Sequence, residues 1–106
     1  MDRAQHCQLL LEKLTTVLQE NDYWEAEQPS VEALGSSQPF AIDTLRCEQW
    51  LQWIFIPKLS HMVAMNMALP AAVEISPYVE EAMKEAKGRA AILAVTRELD
   101  QLFKSK

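Results

Sequence analysis

Apolar residues recur at helical spacing from the start of the chain. Cys7, Leu10, Leu11, Leu14, Val17 and Leu18 fall at i, i+3, i+4, i+7 and onward, one stripe of an amphipathic helix. Asp2 suits the positive end of the helix dipole, and Asn21-Asp22 closes the pattern, so the spacing predicts a helix over about 3–20. The next 22 residues, 21–42, have no such period. A bare loop of that length is uncommon in a compact domain. Tyr23, Trp24, Val31, Leu34 and Phe40 are available to pin it to the helices. Within it, Ser30 to Gly35 predicts one helical turn, capped by Ser30 and ended by Gly35.

The second long helix is expected to start at Asp43 as N-cap, with Ile42 and Cys47 stapling its first turn. From Leu45 to Met67 the apolar residues nearly surround the axis. Positions 47, 51, 54, 55, 58 and 62 share one face, while Trp50, Trp53 and Ile56 point elsewhere. Pro57 lacks a backbone donor and crowds the carbonyl of Trp53, which predicts a kink or a split there. After a short apolar connector over 68–75, Ser76 is expected to cap a third helix, with Pro77 at its first position. Glu80 and Glu81 lie near its start and Lys84 and Lys87 near its end, as the dipole prefers. Ile75, Val79, Ala82, Met83 and Ala86 form its inner stripe, and Gly88 breaks it. Ile92, Val95, Leu99, Leu102 and Phe103 place a last helix over about 89–103. No segment alternates with period two between turn signals. The expectation is an all-α chain: a single-domain four-helix bundle over residues 1–106, its second helix long and kinked or split at Pro57, with a long ordered linker after the first helix.

Composition supports a packed core: 49% of the 106 residues are hydrophobic, and there are only two glycines. Charge adds more. Ten Lys and Arg against fifteen Asp and Glu leave −5, and the excess is uneven. Glu20, Asp22, Glu25, Glu27 and Glu32 fall within 20–32 with no base between them. That run is either a solvated loop or an acidic docking strip for a basic partner. Residues 84–106 hold six bases against three acids, the only feature favouring RNA, so direct nucleic-acid binding is not expected.

The amino terminus lacks a basic start and apolar stretch of secretory type, and no apolar run is long enough to span a membrane, so a cytoplasmic protein is expected. Cys7 and Cys47 have no metal or redox spacing and read as free buried thiols, with a disulfide between them left open. His6 and His61 sit in no ligand cluster, so neither metal nor cofactor is expected. There is no phosphate loop and no nucleophile elbow. Adjacent Glu80 and Glu81 diverge by about 100° on a helix, which makes them dipole residues rather than an acid–base pair. Asp43 is read as a cap rather than a general base. The aromatic block is the most informative feature. Trp50, Trp53, Ile56 and Pro57 form a candidate partner patch, extended by Met62, Met65 and Met67, with core packing as the competing role.

Ser37-Gln-Pro-Phe40, Asp43-Thr44-Leu45, Trp50-Leu-Gln-Trp53, Phe55-Ile-Pro57, Leu69-Pro70 and Ile75-Ser-Pro-Tyr78 follow one another so that the chain resembles the YqcC-like family of small gammaproteobacterial proteins. The resemblance runs from the first helix to the last and is most specific over 37–59. It implies a compact all-helical domain and an association, through gene neighbourhood, with tRNA pseudouridine synthase C. The synthase's own chemistry needs a catalytic aspartate in a larger mixed α/β fold, which a short all-helical chain does not supply. The expected function is therefore a non-catalytic accessory or protein-interaction module, its candidate partner that synthase. The alternative is a small-molecule site or undescribed enzyme in a pocket between the kinked helix and the 21–42 linker, lined by Trp24, Phe40, Trp50 and Phe55. The sequence leaves the oligomeric state open.

Overall fold

Asp2 caps the first helix, α1 (Arg3–Glu20), in the computed structural model, which describes residues 2–70 and 74–104 and, at Pro39, the backbone only. Its Oδ1 accepts from the Gln5 N–H at 2.8 Å, and the Gln5 side chain accepts from the Asp2 N–H at 3.3 Å. That reciprocal pair satisfies two donors the helix start would otherwise leave open. Cys7, Leu10, Leu11, Leu14 and Leu18 are buried, as the stripe requires. The helix ends at Asn21, where the backbone turns left-handed at Asp22 (φ 62°).

In the linker, Ser30 accepts from the Ala33 N–H at 3.1 Å and starts the single turn α2 (Val31–Leu34), with Gly35 at its end. Tyr23 and Phe40 pack against the core, but Val31 is 84% exposed and pins nothing. A 3₁₀ turn at Pro39–Ala41 follows, with left-handed backbone at Phe40 and Ala41.

This turn corrects the expected start of the second helix. The Ala41 carbonyl accepts from the N–H groups of both Thr44 and Leu45, so 41–45 remains a turn. Asp43 lies outside the helix and accepts from the Ser36 hydroxyl at 2.5 Å instead of capping. Ile42 is 62% exposed and staples nothing. The helix begins as α3 (Cys47–Trp50), with Arg46 at the N-cap and its N–H donating to the Gln49 side chain at 2.8 Å.

Pro57 does not split the helix. The turn before it widens: α3 runs into a π-turn, Leu51–Phe55, and then into α4 (Ile56–Ala64), with the Ile56 N–H donating to the Leu51 carbonyl. Proline cannot donate to the Trp53 carbonyl and its ring crowds that oxygen, and a wider turn accommodates both facts. One extra residue in a turn rotates the downstream helix by about 100°. The inward positions are therefore Cys47, Leu51, Gln52, Phe55, Ile56 and Leu59, whereas Ile54 is half-buried and Lys58 exposed. Ile56, expected to point outward, belongs to the core.

α5 (Ser76–Ala82) is shorter than its pattern suggested and leaves Ala82 exposed. Ser76 is not its cap, and Pro77 stands at the second position, with Ile75 at the N-cap. The capping oxygens come from α6 (Arg89–Lys104): the buried Asp100 carboxylate accepts from the N–H groups of Ile75 and Ser76, both at 2.9 Å. The Ser76 hydroxyl turns inward to Thr96 at 3.3 Å. Gly88, at φ +75°, joins α5 to α6, and a Cβ there would lie 2.5 Å from the Asn21 side chain. Only glycine fits so close an approach to the end of α1.

α1 packs on α6 and α4, α5 on α6, and α3 on α5. The core lies between them, with Leu14, Leu18, Leu51, Ile75, Val79, Ile92, Leu99 and Phe103 buried. The chain is all-helical, with no strand among the described residues. Its helical segments exceed the four that periodicity separates, because the 47–64 run contains the π-turn and α2 stands within the linker. Residues 71–73 of the expected connector, and Lys106 of the basic run, lie outside the described residues.

Candidate functional site

The two sequence candidates, the aromatic patch and the acidic strip, meet at Glu25. Gln52, buried on the π-turn, grips the Glu25 backbone: its Oε1 accepts from the Glu25 N–H and its Nε2 donates to the Glu25 carbonyl, each at 2.8 Å. The Glu25 carboxylate accepts from the Trp53 indole N–H at 3.0 Å, from Gln49 Nε2 at 3.3 Å and from Arg46 Nη2 at 3.4 Å. α3 and the π-turn therefore hold the linker by a fan of donors one helical turn apart. Glu25 is committed inside the molecule. Glu20 and Glu27 remain exposed, and Asp22 pairs with Lys87 at 3.4 Å. The strip is thus divided rather than continuous.

The patch divides as well. Trp50 stacks on Phe55 at 5.3 Å and meets Phe40 edge-on at 5.0 Å, while Phe40 stacks on Tyr78 at 4.3 Å. These rings fill the space where a pocket lined by Phe40, Trp50 and Phe55 was expected, because edge-to-face and offset contacts favour their mutual packing. Ile56 is buried, Trp53 is half-buried over Glu25, and Pro57 is exposed. Trp24 is 38% exposed. The described bases of the carboxy-terminal run are matched by acids: Lys84 by Glu81, Lys87 by Asp22, Arg89 and Arg97 by Glu80, and Lys104 by Glu74.

Beside the aromatic cluster, a cleft of about 510 Å³ runs between Tyr23, Ile42 and Leu45 on one side and Cys47 of α3, Tyr78 of α5 and Met83 just past the end of α5 on the other. Burial pushes the Cys47 thiol up to about 12, with Glu48 adding to the shift, while the Tyr78 hydroxyl donates to its sulfur and opposes it. Burial raises Tyr78 to about 12 as well, with Cys47 and Glu48 contributing. A thiol held protonated at neutral pH is a poor nucleophile. Cys7 is also free, and burial raises it too, against the lowering effect of Arg3. His6 and His61 are both exposed. Among the described residues no group of three or more His, Cys, Asp or Glu side chains is arranged to hold a metal ion, and no helix is long and apolar enough to cross a membrane.

A second concavity, a groove of about 650 Å³, lies on α1 and α4. Gln5, Gln8, Leu9 and Glu12 line it from α1, Val63 from α4, and Asp2 stands at its edge. Leu9 is 44% exposed, and Met65 and Met67, just past the end of α4, are 62% and 52% exposed. Sequence reasoning missed this groove, and it missed Gln52 and Asp100. The available signals were an apolar Leu9 off the core stripe, a lone amide inside the most apolar block, and an acid one turn beyond Thr96 on the inner face of the last helix.

A family model described as tRNA pseudouridine synthase C matches residues 6–102. An uncharacterized protein of Haemophilus influenzae is 47% identical over 75 residues, 71% of each chain. The uncharacterized protein YqcC of Escherichia coli is 36% identical over 96 residues, 90% of this chain and 88% of that one. A Pectobacterium carotovorum protein named tRNA pseudouridine synthase C is 34% identical over 70 residues, which are 66% of this chain but 19% of that protein. A solution NMR structure of Escherichia coli YqcC superposes with a TM-score of 0.87 at 34% identity, covering 99% of this chain and 91% of that one.

Proposed function

This chain belongs to the YqcC-like family, whose model spans residues 6–102, and from that premise we propose that it is a non-catalytic accessory domain that binds tRNA pseudouridine synthase C. One observation carries the reading. In the Pectobacterium protein of that name, a segment similar to 66% of this chain occupies 19% of the length, so one polypeptide holds such a segment together with a much larger remainder. Covalent linkage raises effective concentration. The separate chain would do by affinity what the joined segment does by tethering. Its −5 charge suits a partner whose substrate is RNA and whose surface must therefore carry bases.

The test is to mix the purified chain with the synthase of the same genome and follow complex formation by calorimetry and pseudouridine formation on tRNA. The expected result is a stoichiometric complex with a Kd of about 1 μM or tighter, and a changed kcat/KM for tRNA. No complex at roughly 50 μM of each protein would overturn the reading.

A second reading is favoured by the cleft over Cys47 and Tyr78, whose 510 Å³ lies in the ordinary range for small-molecule sites. It places a ligand between the linker and the helices, as the sequence alternative did, but against Tyr23, Leu45, Tyr78 and Met83 rather than Trp24, Phe40, Trp50 and Phe55. Saturable metabolite binding that quenches Tyr23 or Tyr78 emission and is lost in Ile42→Glu, a change at an exposed residue of the cleft, supports it; a metabolite screen with no thermal shift removes it.

A further inference from the structure

We propose that the groove between α1 and α4 is the surface that receives the synthase, and that its occupant is an amphipathic helix with apolar residues on one face and Lys or Arg along its flanks. The inference rests on the accessory-domain reading and adds the contact surface and the chemistry of what fills it. α1 carries two stripes. Cys7, Leu10, Leu11, Leu14 and Leu18 are buried in the core. Gln5, Gln8, Leu9 and Glu12, also spaced at three, four and seven, line the groove. Of the four residues of this second stripe only Leu9 is apolar. Leu9, 44% exposed, interrupts it, and Val63 supplies the facing apolar wall.

Met65 and Met67, exposed past the end of α4, follow Val63 by two and four residues and lie outside the groove's lining. Methionine adapts to a partner's side chains better than a branched residue does. The charged residues lining the groove are all acids: Asp2 and Glu12. Asp2 is occupied in capping, but the Glu12 carboxylate joins no ion pair among the described residues, while Lys13 beside it pairs with Glu98 at 3.6 Å. Apolar contacts from Ala4, Leu9 and Val63, set among Gln5 and Gln8 and beside an unpaired acid, match a helix laid in a groove, with apolar anchors on one face and polar and basic flanks.

By contrast, Trp53 and Glu25 already use their polar atoms on one another in holding the linker. The experiment titrates the synthase into the unaltered chain and into Leu9→Glu, Glu12→Lys, Trp53→Ala and Val31→Glu, each checked by its circular-dichroism melt. The expected result is a Kd raised about tenfold or more by Leu9→Glu and about fivefold by Glu12→Lys, with Val31→Glu unchanged. Glu12→Lys alters only an exposed rim residue, so it decides the matter should Leu9→Glu fold poorly. Binding within about twofold of the unaltered chain in both groove variants overturns the groove, the more so if Trp53→Ala is the variant that weakens it. No binding by the unaltered chain overturns the parent reading and the groove together.

Discussion

The side-chain amide of Gln52 is bonded at both ends to the backbone of Glu25, at 2.8 Å each way, so a π-turn in one helix clamps a linker residue as a neighbouring strand would. Gln52 reaches it because the extra residue of the π-turn brings both Gln52 and Ile56 to the buried side. A feature imposed by Pro57 thus becomes the anchor of the linker.

Gln52→Leu keeps most of the volume and removes both bonds. It should lower stability by about 1–3 kcal/mol, since two backbone groups of Glu25 lose their partners. Denaturant titration gives the loss, and amide exchange locates it. The Glu25 N–H should exchange far faster while Leu14 and Leu99 keep their protection. An unchanged Glu25 amide would show that the linker is held by other contacts.

Asp100→Asn should be costlier than an ordinary surface change. The carboxylate accepts from two N–H groups, one on each oxygen. An amide offers one acceptor and turns its NH₂ towards the other donor. A loss of about 2–3 kcal/mol in urea is expected, with Ser76→Ala costing less. Equal costs would mean that the hydroxyl to Thr96, not the carboxylate, sets the start of α5.

The phase change at the π-turn is tested by two isoleucines. Ile56→Ala should destabilise by about 2–4 kcal/mol as a cavity in the core, and Ile54→Ala by about half as much. An uninterrupted helix would reverse that order, because its buried face would include position 54.

Cys47 should resist alkylation in the native state at pH 8 while reacting readily once unfolded. The folded chain holds both the thiol and the Tyr78 hydroxyl neutral to about 12, against ordinary values of 9.0 and 10.0. Stability from this difference is complete below about pH 9, where the unfolded thiol is protonated as well. It is lost as pH rises from 9 towards 12, because the unfolded chain ionises first. Cys47→Ala should flatten part of the alkaline fall in a pH-resolved melt; an identical fall in the variant would assign it to other groups.

Much of this molecule was legible locally. The bounds of α1, the Ser30 turn and the last helix follow from periodicity and short-range capping, and each depends on residues within a few positions of one another. The family, too, was legible in the residues of the 37–59 block and their neighbours. The errors share one cause. Asp43 and Ser76 are good caps by residue type, but a left-handed turn at Phe40 and Ala41 delayed one helix, and Asp100, 24 residues from Ser76, captured the start of the other. The burial of Ile56 and the division of the aromatic patch follow from a turn widened in response to Pro57, which a fixed period of 3.6 does not represent.

The sequence by itself determined that this chain is all-helical and which face of α1 and α6 is buried, because backbone propensity and hydrophobic spacing act over one or two turns; the family was legible separately, as a resemblance in its motifs. Only the tertiary structure decided that Glu25 is bound to Trp53 and Gln52, that the aromatic rings fill their own pocket, and that Leu9 and Val63 share an open groove. The linker and groove relationships join residues 27 to 54 positions apart, and such contacts are settled by how whole helices pack rather than by any local preference.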